Sequence, residues 1–189
     1  MKILARSFYD RDTVDVAQDL LGKILVRKIG QNILSGMIIE TEAYRYKDDP
    51  ASHTYGGMTE RNKAMFGQVG RAYVYFTYGM HYCVNAVAKS PDYEAGAVLI
   101  RSLVPIKGLD YMSRQRKTRD VSNLTNGPAK LTQALKITKK EYGEDLTVKS
   151  SLYVIQGQQI KKSEILSGPR IGIKKANDKM WNFKMYIPV

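Results

Sequence analysis

The sequence predicts a single compact domain of mixed α/β (α+β) class. The expected build is a mainly antiparallel sheet flanked by helices, with one β-hairpin. Three observations carry this. The 189 residues and their 43% hydrophobic content suit one packed core. Short β-rich runs recur along the chain and are mostly joined by turns too short for crossovers. Between them lie a few short segments of helical period, and no repeat or low-complexity linker divides residues 1–189.

Asp10 to Leu21 has a helical apolar face (Val14, Ala17, Leu20, Leu21), with Asp12 or Thr13 as cap and Gly22 as stop. Lys23–Ile29 and Ser35–Tyr44 are predicted strands, with turn chemistry at Gln31-Asn32. Lys47 to Gly70 is polar, glycine-rich and aperiodic, so it is a long loop with a short helix over Asn62–Phe66. A loop of that length in a compact domain is usually functional. Arg71–Thr77 and Tyr82–Ala88 are β-rich and flank Tyr78-Gly79-Met80-His81, which predicts a hairpin. Gly96–Val104 is a further strand. Leu109–Lys117 and Pro128–Leu135 are helical, the second with proline in its first turn, where it is tolerated. Leu152–Gln156, Arg170–Ile173 and Phe183–Ile187 are predicted late strands.

Thirty Lys+Arg against 18 Asp+Glu give a formal net charge of +12. That excess attracts a polyanion, nucleic acid before membrane surface. Thirteen tyrosines accompany it, and basic residues with exposed aromatics can hold phosphates while stacking on bases. One cysteine, Cys83, and two histidines, His53 and His81, leave no expected disulfide or metal site. The opening MKILARSFYDRD lacks the apolar core of a secretory signal, and no run approaches the roughly twenty apolar residues of a membrane span. A soluble cytoplasmic protein is expected, nucleoid-associated if the source is bacterial. No phosphate-binding loop, dinucleotide fingerprint or nucleophile elbow occurs.

Candidate chemistry begins at Glu40-Thr41-Glu42-Ala43-Tyr44. Strand alternation puts Glu40, Glu42 and Tyr44 on one face and Thr41 and Ala43 on the other. Two carboxylates at the end of an apolar strand are costly unless paired or used. The ordinary alternatives are a solvated strand end or a Glu40–Arg pair. In Tyr73-Val74-Tyr75-Phe76-Thr77-Tyr78, Tyr73 and Tyr75 share a face. Strand aromatics are commonly core, but Tyr78 at a hairpin tip could act as a wedge between base pairs. Asn85 and Arg101 each sit in an apolar strand and need partners, whether fold-holding or pocket-lining.

Taken together, the residues resemble the alkyladenine (3-methyladenine) DNA glycosylases. The likeness rests on Glu40-Thr41-Glu42-Ala43-Tyr44, His53, Arg61-Asn62 with Met65-Phe66, Tyr73-Val74-Tyr75, Tyr78-Gly79-Met80, Asn85, Leu99-Ile100-Arg101 and Gly127-Pro128-Ala129-Lys130-Leu131, in that order. It runs from about Leu4 to the C-terminus. The resemblance implies a curved sheet with a protruding, DNA-inserting β-hairpin, and base excision from double-stranded DNA by nucleotide flipping, leaving an abasic site, without metal or organic cofactor. Glu42 would be the general base, and Arg101 would help place the water, with the backbone carbonyl of Ile171. Tyr44, His53 and Tyr75 would wall the base pocket, and Asn85 would crowd out the exocyclic amine of guanine. Tyr78 would fill the hole left by the flipped base, with Met80 and His81 beside it and Arg61 also at the DNA. Position 81 departs from the pattern, where another aromatic is commoner than histidine.

A cationic base such as 3-methyladenine suits tyrosine faces and is a good leaving group, so one carboxylate suffices. That reasoning makes Glu42 catalytic and Glu40 structural. A monomer suits an enzyme that scans a duplex. Two other readings stay open: a non-catalytic nucleic-acid-binding module, and an enzyme of free nucleosides.

Overall fold

In the computed structural model, which describes residues 2–186, the elements run α1 (Thr13–Asp19), β1 (Ile24–Ile29), β2 (Asn32–Arg45), α2 (Lys63–Phe66), β3 (Ala72–Thr77), β4 (His81–Val87), β5 (Gly96–Lys107), α3 (Leu109–Arg116), α4 (Pro128–Ala134), β6 (Leu152–Ile155), β7 (Ile165–Gly168) and β8 (Asn182–Met185). All strands join one sheet, in the order β3-β4-β5-β2-β1-β6, with β8 on β2 and β7 on β8. Every pairing is antiparallel. The expected α+β class and single curled sheet are what the chain forms.

The two faces of the sheet do different work. Ala72, Val74, Val84, Ala86, Val98, Ile100 and Ala43 point into the main core, where α1, α3 and α4 contribute Val16, Ala17, Leu20, Met112, Leu131 and Ala134. Helices this short are marginal alone. Burying each valine, leucine or methionine side chain contributes about 1.5–3 kcal/mol, and an alanine methyl less, and that holds them in place. The opposite face carries a smaller cluster of Met65, Tyr73, Val87 and Ala97, with Tyr44, Tyr75 and Phe66 packed against it. This second face holds the candidate site.

Several expectations shift at the element ends. α1 is shorter than Asp10–Leu21, because Asp12 caps it by accepting from the Val14 amide at 2.8 Å. The β1–β2 turn is Gly30-Gln31, since Ile29 pairs with Asn32. Gly30 has φ 56°, a left-handed angle that glycine adopts without strain. The hairpin turn is Tyr78-Gly79-Met80, and His81 already pairs with Thr77 in β4. One expectation fails outright: Arg170–Ile173 is no strand. The segment is a turn led by Arg170, whose side chain is buried against Asp49. The neighbouring strand is instead β7, Ile165–Gly168. Of the strand expected over Phe183–Ile187, Ile187 lies outside the described residues.

Candidate active site

The site is built by register. β2 is long enough to change partners along one edge: β1 covers Asn32 to Met37, and β8 covers Glu40 to Glu42. Direct cross-strand neighbours then form one row across the sheet, Tyr73–Asn85–Leu99–Glu42–Asn182. Residues opposite one another share a face, so this row is the floor of the site. Two irregularities aim its charged wall. Ile38 pairs with Leu103, Glu40 with Ser102 and Thr41 with Ile100, which leaves Ile39 extra in β2 and Arg101 extra in β5. Such bulges re-aim side chains. Here Arg101 turns to both glutamates, with Nε 3.2 Å from Glu40 Oε1 and Nη1 3.1 Å from Glu42 Oε2.

Glu42 is 0% exposed, and its carboxylate accepts four hydrogen bonds. Oε1 takes the Ile171 backbone N–H at 2.7 Å and Asn182 Nδ2 at 3.0 Å. Oε2 takes the Tyr44 hydroxyl at 2.8 Å as well as Arg101. Burial, and then the adjacent Glu42 charge, raise the Tyr44 phenol far above its ordinary pKa, so it remains a donor. Glu40 is paired as well: Arg101, Asn182 and Lys184 all reach its Oε1.

Above this carboxylate lies a cavity of about 540 Å³. Tyr44, His53, Tyr75, Asn85, Arg101, Ile171 and the hairpin residue Tyr78 all line it. Seven of the eleven expected site residues therefore converge on one space, and Glu42 lies beneath it. Asn85 is buried and donates to the Tyr73 carbonyl at 2.9 Å. His53 has one edge in solvent, while its ring packs edge-on against Tyr75 at 4.7 Å and its Nδ1 meets the Tyr73 hydroxyl at 2.9 Å. Burial of that inner face, and then the Arg61 charge, depress the His53 pKa. At Ile171 it is the amide that touches Glu42, and the side chain is exposed.

The remaining expected residues lie around the hairpin. Tyr78 is 83% and Met80 69% exposed at its tip. His81 is half-buried, and it shares with Met80 a separate cavity against α4, beside Thr132 and Lys136. Arg61 is exposed, but its guanidinium is engaged. It donates to the Phe76 carbonyl at 3.2 Å and lies 5.5 Å from the Tyr75 ring centre.

Two features have no sequence-level signal. Arg170 and Asp49 form a buried ion pair beneath Tyr44 and Trp181. Asn182 bridges Glu40 and Glu42. Among the described residues, no three His, Cys, Asp or Glu side chains gather as a metal site, and no helix is long and apolar enough to cross a membrane.

An aromatic-lined pocket over a buried carboxylate, on a strongly basic chain, suits a flat ring carried on a polyanion, and comparison with known proteins places the chain among DNA glycosylases. The model of the family described as Methylpurine-DNA glycosylase (MPG) matches residues 7–187. A Carboxydothermus hydrogenoformans protein is 48% identical over 96% of this chain and 94% of its own length. A Methanocella arvoryzae protein is 46% identical over 97% and 92%, and one from Francisella tularensis is 47% identical over 90% and 89%. All three are provisionally named 3-methyladenine DNA glycosylases. The chain belongs to the methylpurine-DNA glycosylase family, a family of DNA-repair hydrolases that act in base excision.

Proposed function

We propose that this protein excises alkylated purines, 3-methyladenine among them, from duplex DNA, with Glu42 activating the attacking water. The observation that carries this reading is the Glu42 carboxylate: fully buried, held by four donors, and set under an aromatic-lined pocket with room for a purine. A base within a duplex is out of reach, so it is extruded at a cost of a few kcal/mol, less when it is damaged. The exposed Tyr78 at the hairpin tip fills the stack it leaves. In the pocket, Tyr44 and Tyr75 present π faces to the cationic ring, each good contact being worth about 0.5–2 kcal/mol. Water attacks C1′ of the sugar and gives its proton to Glu42. The N-glycosidic electron pair leaves with the base, which departs neutral because it began as a cation. Arg101, at Oε2, holds the carboxylate edge that faces the pocket and helps place that water, with the Ile171 backbone.

The test is base release from methylated duplex DNA by wild type and Glu42→Gln. Loss of a general base slows release by about 10²–10⁴-fold, while affinity for a duplex carrying an abasic-site mimic is kept. Near-full activity in Glu42→Gln would overturn the assignment.

A further inference from the structure

We propose that Asn182 is a positioning residue for the Glu42 carboxylate, acting as a neutral clasp between Glu42 and Glu40. This rests on Glu42 being the base. Asn182 begins β8, lies directly opposite Glu42 in the ladder and is 4% exposed. Its Nδ2 donates one hydrogen to Glu40 Oε1 and the other to Glu42 Oε1, both at 3.0 Å. The flipped amide would turn its oxygen toward two carboxylates, so the network itself selects this orientation.

The need for the clasp follows from charge. Two carboxylates share one buried guanidinium, Arg101, and the second cation at Glu40, Lys184, is largely in solvent. Like charges this close push apart. Asn182 restrains them without adding charge. A lysine or arginine in its place would hold Glu42 equally well but would weaken its pull on a water proton. The two ends of the carboxylate thus divide the work. Oε1 is fixed by Asn182 and the Ile171 amide, and Oε2 faces the pocket donors Tyr44 and Arg101. The charged and titratable groups around Glu42 are Glu40 and Tyr44 on its own strand, Cys83 on β4, Arg101 on β5, Lys184 on β8 and Arg170 on the turn after β7. Asn182 reaches both glutamates and carries no charge at any pH.

The experiment is single-turnover release of a methylated purine from duplex DNA across pH, for wild type, Asn182→Leu, Asn182→Asp and Glu42→Gln. Asn182→Leu has near-equal size and removes both hydrogen bonds. It slows release about tenfold near neutrality and moves the acid limb of the pH–rate profile upward, because an ionised carboxylate has lost a donor. Asn182→Asp keeps the shape but brings a third carboxylate, so its loss at neutral pH is deeper than that of Asn182→Leu. Both variants keep affinity for a duplex with an abasic-site mimic, which reports an intact fold and DNA face. Should either fail to fold, Asn182→Ser, which opens space instead of filling it, is read by the same profile. A wild-type acid limb in Asn182→Leu or Asn182→Ser, or full activity in Asn182→Asp, overturns the proposal. If Glu42→Gln is inactive and these results still occur, only the clasp fails. If Glu42→Gln is active, the reading of Glu42 itself fails.

Discussion

Arg170 and Asp49 meet as a bidentate ion pair fully closed to solvent, with Nη1 to Oδ2 and Nη2 to Oδ1 both at 2.6 Å. Arg170 Nη1 also donates to the Ala43 carbonyl, between Glu42 and Tyr44. Its guanidinium lies 4.6 Å from the Tyr44 ring centre and 5.3 Å from that of Trp181. The pair therefore fixes the turn whose next residue, Ile171, gives its N–H to Glu42. A loop far away in sequence is bolted to the strand that carries the carboxylate.

Breaking a buried pair leaves one charge stranded, so Asp49→Ala is expected to cost roughly 3–5 kcal/mol of unfolding free energy. The double variant Asp49→Leu/Arg170→Met removes both charges and should recover most of that stability. It should still release base more slowly than wild type, because the Ile171 amide is no longer clamped. Denaturant titration and single-turnover release measure the two effects separately. Wild-type rates in the double variant would mean that the clamp serves the fold alone.

Tyr44 has two jobs that substitution can divide. Its hydroxyl fills one acceptor position at Glu42 Oε2, and its ring walls the pocket. A water reaches Oε2 only where a donor yields, so Tyr44→Phe should keep base release within about threefold of wild type, since Arg101 and the Oε1 donors remain. Tyr44→Ala loses the stacking wall, worth about 1–3 kcal/mol per base, and should fall tenfold or more. A Tyr44→Phe rate as low as that of Tyr44→Ala would place the hydroxyl in the chemistry.

The site was legible in the sequence where short-range rules govern it. Period-two alternation places Glu42 and Tyr44 on one face with Glu40, and the turn at Tyr78-Gly79 exposes an aromatic. What that reasoning misses depends on register and distant contacts. Strict alternation has no place for the paired bulges at Ile39 and Arg101, yet these turn Arg101 onto both glutamates. Nothing near Asn182 reveals that β8 replaces β1 along β2 at Glu40. In Arg170-Ile171-Gly172-Ile173, the apolar and basic residues look like a short strand. The Asp49 partner that makes it a buried turn is 121 positions away. β7 itself is short and half-exposed, so its pattern carries little signal.

His53 supplies a pH prediction. Burial of its inner face, then Arg61, depress its pKa below the ordinary 6.5. The native state therefore binds fewer protons than the unfolded chain between the folded and unfolded values. Its contribution to stability is present above pH 6.5 and is lost as pH falls through the depressed folded value. In an NMR titration, the signal absent from His53→Asn should have a midpoint below 6.5, and Arg61→Gln should move it upward. A midpoint at or above 6.5 in wild type would contradict the packing described around Tyr73 and Tyr75.

Tyr78 offers the clearest separation of function from stability. It is almost wholly exposed, and at φ 50° it occupies a left-handed conformation unusual for a residue with a side chain, followed by Gly79 at φ 68°. That conformation costs a non-glycine residue about 1–2 kcal/mol, and the exposed ring recovers little of it through burial. The fold therefore gains little from a tyrosine here. Tyr78→Gly removes the backbone strain and the ring together. Its thermal midpoint should stay close to wild type, because relief of strain offsets the greater freedom of glycine when unfolded. Base release from duplex DNA should fall tenfold or more, since about 1–3 kcal/mol of stacking in the vacated duplex is lost. With a lesion in single-stranded DNA there is no opposing stack to fill, and the difference between the two proteins should narrow. A variant that loses stability and activity in parallel would assign Tyr78 to the hairpin's own folding, whereas a stable variant with full duplex activity would remove it from base flipping.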